Sequence, residues 1–252
     1  MFSYRIFKVW RRDFIVWQKY FTASLAANFA EPLLYLFAMG YGLGRMVPEV
    51  QGMSYVEFIA PAILITTVMN SSSFETTFSS YTRMEVQKTF NGIATTPVSM
   101  AEVVGGEILW AATKAMVTSS VIFLVLAVFN LIPSLWVALV PLVMACTGLL
   151  FASLGMLMTS FARSYDHFTY YFTLFISPMF LFSGTFFPLD NLPGWAIKLA
   201  YFLPLTYPVR VARHLFAGHF GVFDVLALGG MVAAAVILGL ISVRRLVKRL
   251  IV

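Results

Sequence analysis

Four ionisable residues stand within or beside long apolar runs: Glu31, Glu75, Glu107 and Lys114. An unpaired charge in hydrocarbon costs on the order of several kcal/mol, so each of these must face a partner or water. One lysine among three glutamates reads better as a structural network between neighbouring helices than as a proton or substrate relay. Glu107 and Lys114 lie two turns apart on one helical face, too far for a direct pair of the three- or four-residue kind. His167, His214 and His219 lack the spacing of a ligand set, and no metal site is expected. Cys146 sits alone in an apolar run and gives no disulfide framework. There is no GxxxxGK[ST] phosphate loop, no HExxH and no GxSxG. The chain therefore has no Walker-type means of binding ATP, no cofactor is expected in it, and a self-contained enzyme is poorly supported.

A second stretch is polar for a different reason. Residues 83–114 read RMEVQKTFNGIATTPVSMAEVVGGEILWAATK. The charged part ends at Thr96, Pro97 breaks it, and Ser99 with Glu102 starts a new apolar helix. Such a loop is too long for a tight turn and too short for a domain. It has the pattern of a short amphipathic helix. Met84, Phe90 and Ile93 fall to one side, while Glu85, Gln87, Lys88 and Asn91 face water. This loop reads as a handle on which a partner outside the membrane pushes.

The elements that position these residues follow from composition. The 252 residues are 60% hydrophobic and 11% charged, with a mean hydropathy of +0.85. A soluble domain is about half apolar and a quarter charged, so the solvent for this chain is a bilayer. The net charge of +6 comes from basic residues at the ends of apolar runs, where they act as topology signals and not as a nucleic-acid patch. Residues 1–21 carry Phe7, Trp10, Phe14, Trp17 and Phe21 at helical spacing among basic residues, the pattern of an interfacial helix. A cleaved signal peptide is not expected, because the charged region is too long and no small-residue cleavage site ends a short apolar core.

Six spans are expected, at about 22–44, 58–81, 101–129, 135–161, 167–182 and 225–243, with a loop at 45–57 holding Pro48 and a tight turn at 130–134 holding Pro133. The whole is one all-α transmembrane domain. Ala145, Gly148, Ala152 and Gly155 make a small-residue seam in the fourth span. The fifth offers Phe168, Tyr171, Phe172 and Phe175 near one face. These could stack on sugar rings or flank acyl chains, although ordinary packing is the simpler reading. Residues 184–222 are too broken to span and too apolar for a soluble loop, so short re-entrant or interfacial helices fit best. With six spans and both termini in the cytoplasm, that side holds twelve Lys and Arg against four outside.

Three stretches carry a family resemblance: the loop RMEVQKTFNGIATTPVS with the following AEVVGGEILWAATKA, then SPMFLFSGTFFPLDNLPGW, then LPLTYPVRVAR. With the six-span plan, the chain resembles the permease subunits of ABC type-2 exporters. It looks nearest the branch of the nodulation lipo-oligosaccharide exporter permease and the drug-resistance permeases. The resemblance implies a multi-pass protein of the bacterial inner membrane and a dimer of permease copies. It also implies two separate ABC ATPase subunits that hold the ATP and Mg. It puts Arg83, Met84, Glu85, Lys88, Thr89 and Phe90 at or beside a coupling helix. Pro178, Gly184, Phe187, Pro188 and Pro193 would shape the external re-entrant segment. The substrate implied is an amphiphile, either a lipo-oligosaccharide or a lipid-linked glycan. Export of a drug or another polysaccharide is the alternative within transport. A lipid-modifying membrane enzyme or a scaffold is the alternative outside it.

Overall fold

In the computed structural model, residues 3–47, 49–132 and 134–251 are described. Pro48, expected in a loop, and Pro133, expected in a tight turn, lie outside them. Helix α1 (Arg5–Gln18) leads into α2 (Phe21–Phe37), which continues through a wide turn, Ala38–Gly42, to Arg45. Two short strands, β1 (Glu49–Val50) and β2 (Met53–Ser54), pair antiparallel and qualify the all-α expectation. Then come α3 (Tyr55–Phe74), α4 (Thr89–Ala94), α5 (Met100–Val128) and α6 (Val140–Phe161). The rest is α7 (Asp166–Tyr171), α8 (Ser177–Phe182), α9 (Gly194–Phe202), α10 (Thr206–Phe216) and α11 (Val222–Ile251).

Among the described residues, four helices are long and apolar enough to cross a membrane: Tyr55–Val86, Met100–Val128, Leu135–Phe161 and Val222–Arg249. The expected first and fifth spans fold as helix, from Phe21 to Arg45 and from Asp166 to Phe182, but do not join these four. The expected broken segment contains α9 and α10.

Local chemistry sets the boundaries. Ser99 accepts from the Glu102 backbone N–H, and the Glu102 carboxylate accepts from the Ser99 N–H at 2.7 Å, a reciprocal cap that starts α5. Ser54 and Glu57 do the same for α3. Beyond α3 the helix continues through wide turns at Glu75–Ser79 and Thr82–Val86. Along this stretch Ser72, Thr76, Thr77 and Thr82 donate to carbonyls four residues back, competing with the helical ladder and loosening it.

The core centres on α3, which is buried nearly throughout between α5 and α6. Close approach depends on small residues. A Cβ on Gly155 would stand 2.3 Å from Thr76 Oγ1, and one on Gly148 would stand 3.2 Å from the Ala112 backbone. Two positions of the sequence-read seam are thus contact points, one against the α3 extension and one against α5.

Candidate functional site

Three carboxylates and three cations meet where α1 crosses α5 and the end of the α3 extension. Glu75 accepts from Arg83 Nη2 at 2.9 Å and Trp110 Nε1 at 3.1 Å through one oxygen, and from Lys114 Nζ at 2.7 Å through the other. Glu107, fully buried, accepts from Ser80 Oγ at 2.7 Å, from Arg12 Nη2 at 2.9 Å and from Arg83 Nε at 3.0 Å. Asp13 binds Arg12 at 2.6 Å and lies 3.9 Å from Arg83. The charges balance, and bifurcated contacts to arginine suit burial. Of the four ionisable residues read from the sequence, Glu75, Glu107 and Lys114 meet in this cluster, whereas Glu31 lines a cavity.

Sequence reading missed Arg12 and Asp13 as members. The available signal was Asp13 on a face that repeats every four residues, Val9, Asp13 and Trp17, all three buried. The Asp13 carboxyl is pushed up to about 7, first by burial and then by the negative charge of Glu107. Aromatic contacts hold α1 in place: Trp10, Phe14 and Trp17 all meet the Trp110 ring.

The loop read as a handle divides into two parts. Arg83, Met84 and Glu85 belong to the extension of α3, and only α4 forms a separate helix. Arg83 points into the ionic cluster and Met84, read on the apolar side of the loop, is buried, so both stand beside α4 and not on an exposed face. A cation in the α3 extension satisfies Glu75 and Glu107, whereas exposed it would leave both under-paired. Lys88 adopts a left-handed conformation, φ 50°, which ends the extension and redirects the chain into α4. Phe90 is fully buried in a core with Met84, Val103, Met156 and Leu246. Gln87, Lys88, Asn91, Thr95 and Thr96 are exposed and Thr89 is half-buried.

A cavity of about 590 Å³ opens between α2, α3 and the stretch from Phe172 to Phe180. Glu31, Asn70, Ser71 and Lys114 supply polar groups, and Tyr35, Phe74, Phe172 and Phe180 supply rings. The Ser71 hydroxyl is buried without a hydrogen-bond partner. Asn70 and Phe74 are exposed one turn apart on a helix otherwise buried, so both face the opening. Of the four aromatic candidates, Phe172 alone lines this cavity. Phe168 is buried in the core beneath the loop, and Tyr171 is buried against Ser73, 3.3 Å between hydroxyls. Phe175 is exposed. The lining therefore sets hydrogen-bonding groups beside aromatic rings.

In the segment expected to be re-entrant, Gly184 takes a φ of +77° just after α8, a turn that favours glycine. Pro178 opens α8, Pro188 and Pro193 flank the short turn Leu189–Asn191, and Phe187 is exposed. Arg213, read from the sequence only as one of the four outside basic residues, anchors this segment. It donates to the carbonyls of Phe58 and Thr185, both at 3.1 Å, and lies over the Phe58 ring.

A family model described as ABC-2 type transporter matches residues 4–217. Nodulation protein J of Rhizobium meliloti (strain 1021) is 40% identical over 244 residues, 96% of this chain and 92% of the relative. Nodulation protein J of Rhizobium leguminosarum bv. trifolii is 43% identical, over 84% of this chain and 80% of the relative. The inner membrane transport permease YadH of Escherichia coli (strain K12) is 22% identical, over 83% and 82%.

Proposed function

Because the chain belongs to the ABC-2 type transporter family, we propose that it is the permease subunit of an exporter of an amphiphilic lipo-oligosaccharide or lipid-linked glycan. ATP hydrolysis, with its Mg, takes place in a separate ATPase subunit, two copies of which bind a permease dimer. The cavity beside α3 carries this reading, because it sets hydrogen-bonding groups against aromatic rings as a sugar joined to an acyl chain requires. Similarity to the nodulation proteins J supports the substrate class.

The chain crosses the bacterial inner membrane six times, the helices from Phe21 to Arg45 and from Asp166 to Phe182 completing the set. Both termini and α4 lie in the cytoplasm, as the excess of Lys and Arg on that side supports. The segment holding α9 and α10 is re-entrant from outside. Glu85, Lys88, Thr89 and Phe90 form or brace the coupling surface, with Phe90 as its anchor in the core. Substrate enters from the inner leaflet, and ATP-driven rocking of the two permease copies carries it outward. The two states must differ in their contacts with substrate for this to do work.

The test is ATP-dependent uptake of a fluorescent lipo-oligosaccharide into inverted vesicles carrying the chain and its ATPase. Phe172→Ala and Asn70→Leu should reduce uptake while leaving the ATPase bound. Lipid turnover by the purified chain alone, with no ATPase co-purifying, would replace the transporter reading with an enzyme.

A further inference from the structure

The last helix reaches back to the first cytoplasmic loop. Arg249 of α11 donates from Nη2 to Glu85 Oε1 at 2.7 Å. Its other nitrogen, Nη1, donates to the carbonyls of Ala162 at 2.6 Å, Thr159 at 3.2 Å and Ser160 at 3.4 Å. Those carbonyls end α6 and have no further turn to bond. One guanidinium therefore caps α6 and grips Glu85 together, using its planar fork in two directions. The side chains of Arg249 and Glu85 are 26% and 28% exposed, so the pair is partly shielded. Glu85 spends its second oxygen on Lys88 at 3.2 Å, the left-handed residue that turns the chain into α4. Leu246, one turn before Arg249, is buried in the same core as Phe90.

We infer that Arg249 is a positioning residue for coupling: it holds Glu85, and through Glu85 and Lys88 it fixes the attitude of α4 toward the ATPase. The inference rests on the reading of α4 as the coupling surface. In this arrangement the C-terminal helix and the end of α6 move with the loop as one body. A push on α4 then reaches α11 without passing along the chain. Glu85 acts inside the subunit, and its charge is occupied before any partner arrives.

The experiment replaces Cys146 by Ala, introduces a single cysteine at Ile93, a half-buried position of α4 packed against the core, and follows maleimide labelling in inverted vesicles. ATP hydrolysis by the co-purified complex is measured in parallel. Glu85→Gln, Arg249→Gln and the double variant are compared. Each single variant should raise the labelling rate about tenfold, the change expected when one charge-assisted hydrogen bond is lost from the closed position. Each should also lower ATP hydrolysis by the complex, and the double variant should match the singles. Glu85→Gln leaves the α6 cap intact, so it decides the matter even where Arg249→Gln accumulates poorly. Unchanged labelling in Glu85→Gln overturns the inference, as does additive loss in the double variant. Failure of any ATPase to co-purify with the parent chain would overturn the permease reading instead, because the labelling arm needs no partner.

Discussion

Replacing Arg83 by Gln distinguishes a buried strut from a surface contact. The substitution removes one of three cations that neutralise Asp13, Glu75 and Glu107. Glu107 keeps Arg12 and Ser80, and Glu75 keeps Lys114 and Trp110, but one negative charge is left over in a cluster with almost no solvent. Breaking a buried ion pair from one side costs about 3–5 kcal/mol. For a chain of this length that lowers the melting temperature by on the order of 10 °C. Part of the loss is recoverable by acid, because Asp13 sits at about 7 and can take up the compensating proton. The variant should therefore lose more stability at pH 8 than at pH 6. The assay is thermal melting of the detergent-purified chain, followed by fluorescence-detected gel filtration at both pH values. A variant that melts like the parent at pH 8, yet fails to retain the ATPase, would show that Arg83 faces the partner and that the cluster is not a strut.

Asp13→Asn tests the same cluster from the other side. A carboxyl raised from 3.8 to about 7 favours the folded state below its ordinary value, and that contribution fades as pH rises through 7. The melting temperature of the parent should fall between pH 6 and pH 8, and that of Asp13→Asn should stay flatter. Gly155→Ala should cost about 1–3 kcal/mol, because its methyl meets Thr76, whereas Gly229→Ala, with open space around it, should be silent in the same melt. In a Cys146→Ala background, cysteine at Gln87 should label only from the cytoplasm and cysteine at Asn191 only from outside; external labelling at Gln87 would invert the topology. The purified chain alone should not hydrolyse ATP, and saturable turnover free of any partner would contradict its role as a permease.

Local features of the chain were legible. The start of α5 at Ser99 and Glu102 is a four-residue pattern whose partners are sequence neighbours. The small-residue seam needs only helical spacing. The end of α3 was not legible in the same way. Arg83 and Glu85 look like loop charges because their partners, Glu107 and Arg249, stand 24 and 164 residues away. Only the packed helices bring those charges together, so local polarity placed the end of the span at Tyr81, five residues short of Val86. The cavity was half visible. Glu31 and Lys114 were singled out as charges in apolar runs and Phe172 as one of an aromatic set, yet Asn70 and Ser71 read as ordinary polar positions. Their side of α3 is defined by what α2 leaves uncovered. The anchoring role of Arg213 escaped notice because its acceptors are backbone carbonyls, which carry no signature in the sequence.

The joint between α1 and α5 also sets a schedule for biogenesis. Arg12 leaves the ribosome 95 residues before Glu107, the carboxylate that holds it. At ~5–20 residues per second, that interval lasts about 5–20 s. Throughout it the nascent α1 lacks the α5 surface on which its rings finally pack, and its amphipathic pattern suits it to wait at a water–lipid boundary. Its amphipathic pattern is thus a waiting device before it is a structural one. Docking onto Trp110 and Glu107 becomes available only after α3 is in place, which makes closure of the ionic cluster a late event in assembly.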